Sequence, residues 1–305
     1  MGVRALLVVN PKATTTSARA RDVLAHALAS EVKLDVAETT HRGHATELAE
    51  QATRDGLDVV VALGGDGTVN EVVNGLLHAG PRPGLPSLGV VPAGSTNVFA
   101  RVLGMPNNAV EATSQLIEAL LEDRRRTIGL GKADDRYFTF NAGLGIDAGA
   151  VRRVEAVRRK GRTATQALYV RSAVREHFFG PGHMLTLDLP GAEPLRLALA
   201  LICAVDPWTY LGNRPVRPCP DASFDTGLDL FGLTSARTPV MLRHLVQLLQ
   251  KDGRPHGKHV ALLHDLPGFT LTADGPLPFQ LDGDELGDRS SVVLRSVPKA
   301  LQVVV

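Results

Sequence analysis

Short apolar runs alternate with stretches of helical periodicity along the first 127 residues. Arg4–Val9, Leu34–Ala37, Leu57–Leu63 and Leu88–Val91 read as strands; the first and third are Val- and Leu-rich and nearly unbroken, as strands covered on both faces should be. Between and after them, apolar positions recur at helical spacing over Thr16–Leu28, Ala45–Arg54, from Thr68 onward, over Val98–Leu103 and over Asn108–Leu121. Strand and helix in strict alternation predict a doubly wound, Rossmann-like α/β domain over 1–127 with a parallel sheet. The texture changes near Ile128. From Tyr137 onward, short runs that alternate in polarity are separated by Gly, Pro and Asp, as in 184–189, 195–204, 227–233, 259–263, 269–272 and 277–281. That pattern predicts an antiparallel β-sandwich over 128–290, with helical interruptions at Val151–Phe178 and Pro239–Gln250. The terminal strands within 291–305 can pack back onto the first domain.

In a doubly wound sheet, ligands bind beyond the C-terminal strand ends. The loops at Asn10, Thr39, Gly64 and Gly94 all follow strands, so all four fall on that edge. The third loop, Gly64-Gly65-Asp66-Gly67-Thr68, is the densest in meaning. Glycine lets backbone amides approach a ligand closely, and Thr68 followed by Glu71 has capping-box spacing, marking a helix start. Amides and helix N-terminus together predict an anion site, a phosphate in the first instance, with Asp66 at its edge.

Composition narrows the partners. Apolar residues make up 44% and charged residues 21%, and the net charge of +1 gives no global pull toward nucleic acid. No segment approaches the ~18 consecutive apolar residues of a membrane span. Two cysteines, Cys203 and Cys219, cannot make a disulfide framework, so a reducing cytoplasm is the simpler setting. Between Arg152 and Arg175 stand eight Lys or Arg and one acid, Glu155, with Val151, Val154 and Val157 on one helical face. A basic amphipathic helix at 151–175 suits an anionic membrane surface, and equally a solvated charge face packed by its valines.

Two further motifs compete for chemistry. Gly143-Leu-Gly145-Ile-Asp147-Ala148 has dinucleotide-fingerprint spacing, but no acid stands ~20 residues on to hold a ribose. Phe279-Gln-Leu-Asp282-Gly283-Asp284-Glu285 delivers three carboxylates around a glycine, which suits a general base or a Mg²⁺ ligand set, or simply a β-turn with Asp and Gly in their usual places.

Taken together, Asn10-Pro11, Gly64-Gly65-Asp66-Gly67-Thr68, Pro92-x-Gly94-Ser95-x-Asn97 and Asp282-Gly283-Asp284 resemble the diacylglycerol kinase catalytic-domain family, specifically its bacterial soluble lipid kinases, relatives of sphingosine and ceramide kinases. The resemblance implies an α/β nucleotide domain on a β-sandwich, ATP in the cleft, and an acid from the sandwich that activates a lipid hydroxyl. Carried over by position, Asn10, Thr39, Gly64, Gly65, Asp66, Gly67, Thr68, Val69, Asn70 and Ser95 would bind ATP. Asp66 would hold Mg²⁺ or its waters, and Asp282 or Asp284 would be the base. Val98 stands where the family has an acid. Thr226 stands where bacterial members place an Asp that ligates a structural Mg²⁺, so either Asp225 substitutes or that metal is absent. The implied protein is an ATP- and Mg²⁺-dependent lipid kinase, cytoplasmic and peripherally membrane-associated, with a membrane lipid as substrate; a homodimer stays open. An NAD-kinase-like enzyme acting on a soluble substrate and a silent lipid- or nucleotide-binding regulator are the alternatives.

Overall fold

The computed structural model describes residues 2–13, 17–159, 184–250 and 253–305, together with Leu168, Arg171, Ser172 and Arg175. Two compact units divide the chain: residues 1–130 with 298–305, and residues 131–297.

The first unit is the α/β layer structure its alternating pattern calls for. Strands β1 (Arg4–Val9), β2 (Lys33–Glu38), β3 (Val59–Gly64) and β4 (Ser87–Pro92) are parallel in the order β2-β1-β3-β4, and the chain end pairs beside β4 through Val303 and Leu88. β3 and β4 are buried at every residue, while the edge strand β2 is exposed or half-buried throughout. The strands alternate with α1 (Ala18–Ala29), α2 (His44–Arg54) and α3 (Asp66–Leu76), and α4 (Val98–Val102) and α5 (Ala109–Leu121) follow β4. The Asn108 side chain caps α5 by accepting from the amides of Val110 and Glu111 at 2.9 and 3.2 Å. Because β1 leads to β2 on one side and β3 to β4 on the other, the switch point of the sheet lies between β1 and β3.

In the second unit, β5 (Arg125–Ala133) enters from the first. It is followed by β6 (Arg136–Phe138), β7 (Asn141–Leu144), α6 (Ile146–Arg159), β8 (Leu185–Asp188), β9 (Leu195–Leu197), β10 (Leu199–Cys203), β11 (Thr209–Leu211), β12 (Arg214–Val216) and β13 (Leu228–Leu233). Then come α7 (Thr238–Leu248), β14 (Val260–Leu266), β15 (Gly268–Leu281) and β16 (Asp284–Val304). Among the described residues, β5–β6, β7–β10, β7–β15, β8–β9, β8–β15, β10–β13, β11–β12, β13–β14 and β15–β16 pair antiparallel. Alternate residues of β10 serve two cores: Ala200 and Ile202 join Leu144, Leu230, Leu271 and Leu281, while Leu199, Leu201 and Cys203 join Trp208 and Phe231.

Four local expectations need correction. The runs at 269–272 and 277–281 are one strand, because Ala273–Pro276 is absorbed as a bulge against β16 rather than breaking the pairing. The terminal runs likewise belong to one long strand, β16. α3 starts at Asp66 with Gly65 as its cap residue and no side-chain cap, so Thr68 and Glu71 form no capping box. The helix expected at 151–178 begins at Ile146; Lys160, Arg162 and Phe178 lie outside the described residues, as do Thr14–Thr16.

Candidate functional site

In the first unit, the strand-end loops converge by contact. Asn10, just past β1, donates from Nδ2 to the Thr68 hydroxyl at 3.0 Å, across the switch point. The same side chain accepts the Lys12 amide through Oδ1 at 3.0 Å, which folds the first loop over itself and leaves Lys12 exposed. The Thr39 amide donates to Val9 O at 2.8 Å, holding the second loop beside the first. Glu71, within α3, accepts the amides of Gly43 and Ala45 at 2.9 and 3.2 Å and so caps α2 instead of its own helix. Thr68 and Glu71 are thus spent on chain 58 and 26–28 residues away, which their spacing in sequence could not show.

The third and fourth loops touch backbone to backbone. A Cβ on Gly94 would lie 2.6 Å from the Gly65 Cα, and one on Gly65 would lie 3.2 Å from the Gly94 Cα. No side chain fits between them. Asn97 shapes the fourth loop: its Oδ1 accepts the Gly94 amide and its Nδ2 donates to the Gly94 carbonyl, both at 2.9 Å, while its own φ is 51°. Ser95 is exposed on this loop. At the start of α3, the amides of Asp66, Gly67 and Thr68 precede the first i→i−4 donor in the helix, Val69 N, and carry the positive end of its dipole. Backbone donors therefore gather where the two glycine loops meet. The Val69 and Asn70 side chains are buried at 2% and 1% exposure, so only their backbone is available to a ligand in that turn.

Asp66 ties the third loop to the fourth. Its Oδ2 accepts the Val98 amide and its Oδ1 the Phe99 amide, both at 3.1 Å, so the carboxylate caps α4. Val98, buried at 1%, contributes its backbone to that cap where the family pattern has an acid.

In the second unit, the acidic hairpin resolves into two unlike residues. Asp282 (φ 51°) and Gly283 (φ 80°) form the two-residue loop between β15 and β16, with Leu281 and Asp284 paired across it. Positive φ at both central positions is the type I′ turn that Asp-Gly favours. The Asp282 carboxylate is buried at 5% and accepts four hydrogen bonds. Thr139 N and Oγ1 reach its Oδ2 at 2.7 and 2.9 Å; Phe140 N and Asn141 N reach its Oδ1 at 3.0 and 3.1 Å. Four bonds match the acceptor capacity of a carboxylate. Behind it, Gln280 Nε2 donates to Asn141 Oδ1 at 3.0 Å and to Asp147 Oδ2 at 2.7 Å, and its Oε1 accepts the Gly283 amide at 2.9 Å. Asp284, one residue past the turn, is only half-buried.

This network also settles the dinucleotide rival. A Cβ on Gly143 would meet Asp147 Oδ2 at 2.1 Å, so that glycine makes room for a buried carboxylate, not for a ligand.

The basic helix and Asp225 are held by local contacts. In the described part of the basic helix, Val151 and Val154 are buried, and Arg152 pairs with Glu285 at 2.9 Å and with Asp288. Burial alone would lower the Arg152 guanidinium, but hydrogen bonds from Asp288 and Glu285 carry it above the usual arginine range. Asp225 sits exposed in a turn built by Ser223 and Thr226, where Thr226 Oγ1 donates to Ser223 O at 3.1 Å. Among the described residues, no three His, Cys, Asp or Glu gather as a metal ligand set. Both Asp66 oxygens lie on backbone amides, and Asp225 is exposed.

One buried acid lacks such support. Asp206 Oδ1 is buried without a hydrogen-bond partner, and burial pushes this carboxyl up to about 6 despite the Arg217 guanidinium 3.3 Å from Oδ2. Cys203 and Cys219 are both buried, and burial pushes the Cys219 thiol up, away from reactivity.

Comparison with known proteins places this geometry. Residues 4–133 match the model of the diacylglycerol kinase catalytic domain. A diacylglycerol kinase of Bacillus subtilis is 42% identical over 107 residues, 35% of this chain and 33% of that protein. Another, of Staphylococcus haemolyticus, is 38% identical over 100 residues, 33% of this chain and 28% of the relative. The matched segment thus spans about a third of the length of these relatives. Among solved structures, a diacylglycerol kinase from Bacillus anthracis covers 99% of this chain and 97% of its own at a TM-score of 0.73 and 19% identity. An NAD kinase from Archaeoglobus fulgidus in complex with ATP covers 99% and 93% at a TM-score of 0.52 and 10% identity. Likeness at these identities is likeness of fold, an α/β unit with a strand-rich antiparallel unit.

Proposed function

We propose that this chain, whose residues 4–133 match the diacylglycerol kinase catalytic domain, transfers the γ-phosphate of ATP to a lipid hydroxyl. The observation that carries the reading is the backbone contact between Gly65 and Gly94 beside the start of α3, which leaves amides and no side chains where phosphates would lie. Phosphoryl transfer asks a protein mainly to hold phosphates and to take the proton of the attacking hydroxyl. Asn10, Thr39 and Ser95 surround the cradle on the same sheet edge, and their polar groups suit the nucleotide. Asp284 is the proton acceptor on this reading. Asp282 is buried with four donors on its carboxylate, whereas Asp284 is half-buried and nearer to where a substrate hydroxyl could approach. The magnesium requirement rests with the nucleotide, whose own phosphates carry the ion in as a complex.

Transfer of radiolabelled phosphate from ATP to diacylglycerol, ceramide, sphingosine or phosphatidylglycerol is the test, with product expected on at least one lipid. Phosphorylation of NAD with no lipid product would replace the reading by the soluble-substrate kinase. Lipid binding by calorimetry with no turnover on any substrate would replace it by the silent regulator.

A further inference from the structure

The helix α7 presents its apolar face outward. Leu242, Leu245 and Val246 are exposed at 57%, 40% and 59%, and with exposed Pro239 they keep the three- and four-residue spacing of one helix face. The opposite face is packed and partly polar: His244 and Gln247 are buried, with His244 Nδ1 and Gln247 Oε1 2.8 Å apart, and Met241 and Leu248 lie against the core of β10 and β13. Three large aliphatic side chains one turn apart form a patch that monomers normally cover.

Cations rim this patch. The chain after the helix is laced to it, since Gln247 Nε2 donates to His256 O at 3.2 Å and the His256 amide donates to Gln247 Oε1 at 3.3 Å. Arg243 follows Leu242 on the edge of the stripe, and a Cβ on Gly257 would lie 3.9 Å from its Nη2, so its guanidinium stands beside the loop that carries exposed Arg254 and Lys258. Arg237 precedes the helix. Arg254 is paired with Asp221; Arg237, Arg243 and Lys258 have no acidic partner among the described residues. From Arg237 to His264 the sequence holds five Lys or Arg and a single acid, Asp252.

We propose that α7 docks this protein on the surface of an anionic lipid bilayer, its Leu242–Val246 face entering the headgroup boundary and Arg237, Arg243 and Lys258 meeting lipid phosphates. An apolar stripe flanked by cations is the composition of an interfacial helix. No helix among the described residues is long and apolar enough to cross a membrane, so α7 lies on the surface. A second copy is the weaker occupant, because a two-fold contact through this face would bring the same cations of both copies together. In the described part of the basic helix, by contrast, Arg152 is paired with acids and Val151 and Val154 are buried. For its purpose the proposal rests on the lipid-kinase reading; its observations are independent of that reading.

The test is flotation of the full chain with phosphatidylcholine vesicles, with and without roughly one-third phosphatidylglycerol. The chain should float with the anionic vesicles alone and be released in high salt. Leu242→Ser with Val246→Ser should weaken partitioning at least ~10-fold, and Arg243→Gln with Lys258→Gln by about fivefold per cation. Unchanged partitioning of both double variants overturns the proposal, as does wild-type protein that stays with the soluble fraction. Sedimentation showing a wild-type dimer that the apolar double variant dissolves also overturns it, in favour of an interface between copies. Melting curves confirm that each variant is folded. Phosphorylation of a water-soluble short-chain diacylglycerol separates the two claims, since the variants should retain it. If the wild type lacks that activity yet floats through α7, the kinase reading falls and docking stands; if it has the activity and floats independently of α7, docking falls alone.

Discussion

The glycine loop after β3 and the hairpin between β15 and β16 look alike in sequence, each an aspartate set among glycines, and the structure uses the two aspartates alike. Asp66 spends its carboxylate on the amides of Val98 and Phe99, and Asp282 spends its own on the amides of Thr139, Phe140 and Asn141. Both acids hold a neighbouring piece of backbone in place. The difference lies in what each leaves for chemistry. Around Asp66, glycine amides and a helix start are left, which favour an anion; beyond Asp282, another carboxylate, Asp284, is left half-buried, which favours a proton acceptor. An acid beside glycine is thus a poor guide to the reacting group, and a good guide to where the reacting group is positioned.

The largest effect should split Asp282 from Asp284. Asp284→Asn should lower turnover by roughly 10²–10⁴-fold, the scale of a lost general base, and cost less stability than the same change at Asp282. Asp282→Asn puts an NH₂ against donors and should instead destabilise the second unit, on the order of 2–4 kcal/mol. Denaturant melts beside turnover measurements would show it; full activity in Asp284→Asn would sink the assignment.

Gly94→Ala tests the other half of the comparison. Its Cβ would stand 2.6 Å from the Gly65 Cα, and backbone cannot yield as a side-chain tip can. ATP affinity by calorimetry should fall at least ~10-fold, more than the ~1 kcal/mol of an ordinary glycine substitution, with helix content unchanged. Wild-type affinity in that variant would move the phosphates away from the cradle.

Much of this was legible in the chain, and the limits follow from distance along it. The Val-rich runs gave up the parallel strands because a strand covered on both faces needs no polar alternation, and strand–helix alternation alone put the four loops on one edge. The Asp-Gly pair carried its turn on its face, since few other residues accept positive φ twice. What stayed hidden was every partner far away in sequence. Thr68 and Glu71 read as a capping box until Asn10 and Gly43 claimed them. Asp282 and Asp284 could not be told apart without the amides of 139–141. Gly275-Pro276 read as a strand break because a bulge can be recognised only against the partner strand that tolerates it.

Smaller effects sharpen the point about backbone-clamping acids. Asp66→Asn retains one acceptor for two amides and should cost about 1–2 kcal/mol of stability, with ATP affinity falling less than in Gly94→Ala. Asp206 supplies the contrast, a buried acid with no amide on Oδ1 and a carboxyl pushed up to about 6. Its unfolded value lies near 3.9. Between those two values the native protein holds a proton that the unfolded chain has released. Stability from this group is therefore full below about 4, declines as pH rises toward 6 and is level above. Asp206→Asn should remove that slope from melting temperatures recorded across the range.

Asp225→Ala should do least of all. Asp225 is exposed, its amide donates to the Ser223 hydroxyl at 3.3 Å, and the turn around it is carried by Thr226 and Ser223. An exposed acid in a turn that others hold is worth within about 0.5 kcal/mol. If the magnesium requirement is the nucleotide's own, the variant should also show the same dependence of rate on the concentration of the Mg²⁺–ATP complex as the parent. A shifted Mg²⁺ dependence at fixed complex would return Asp225 to a metal, and would make the second unit's turn, unlike the first unit's loop, a place where the aspartate itself does the binding.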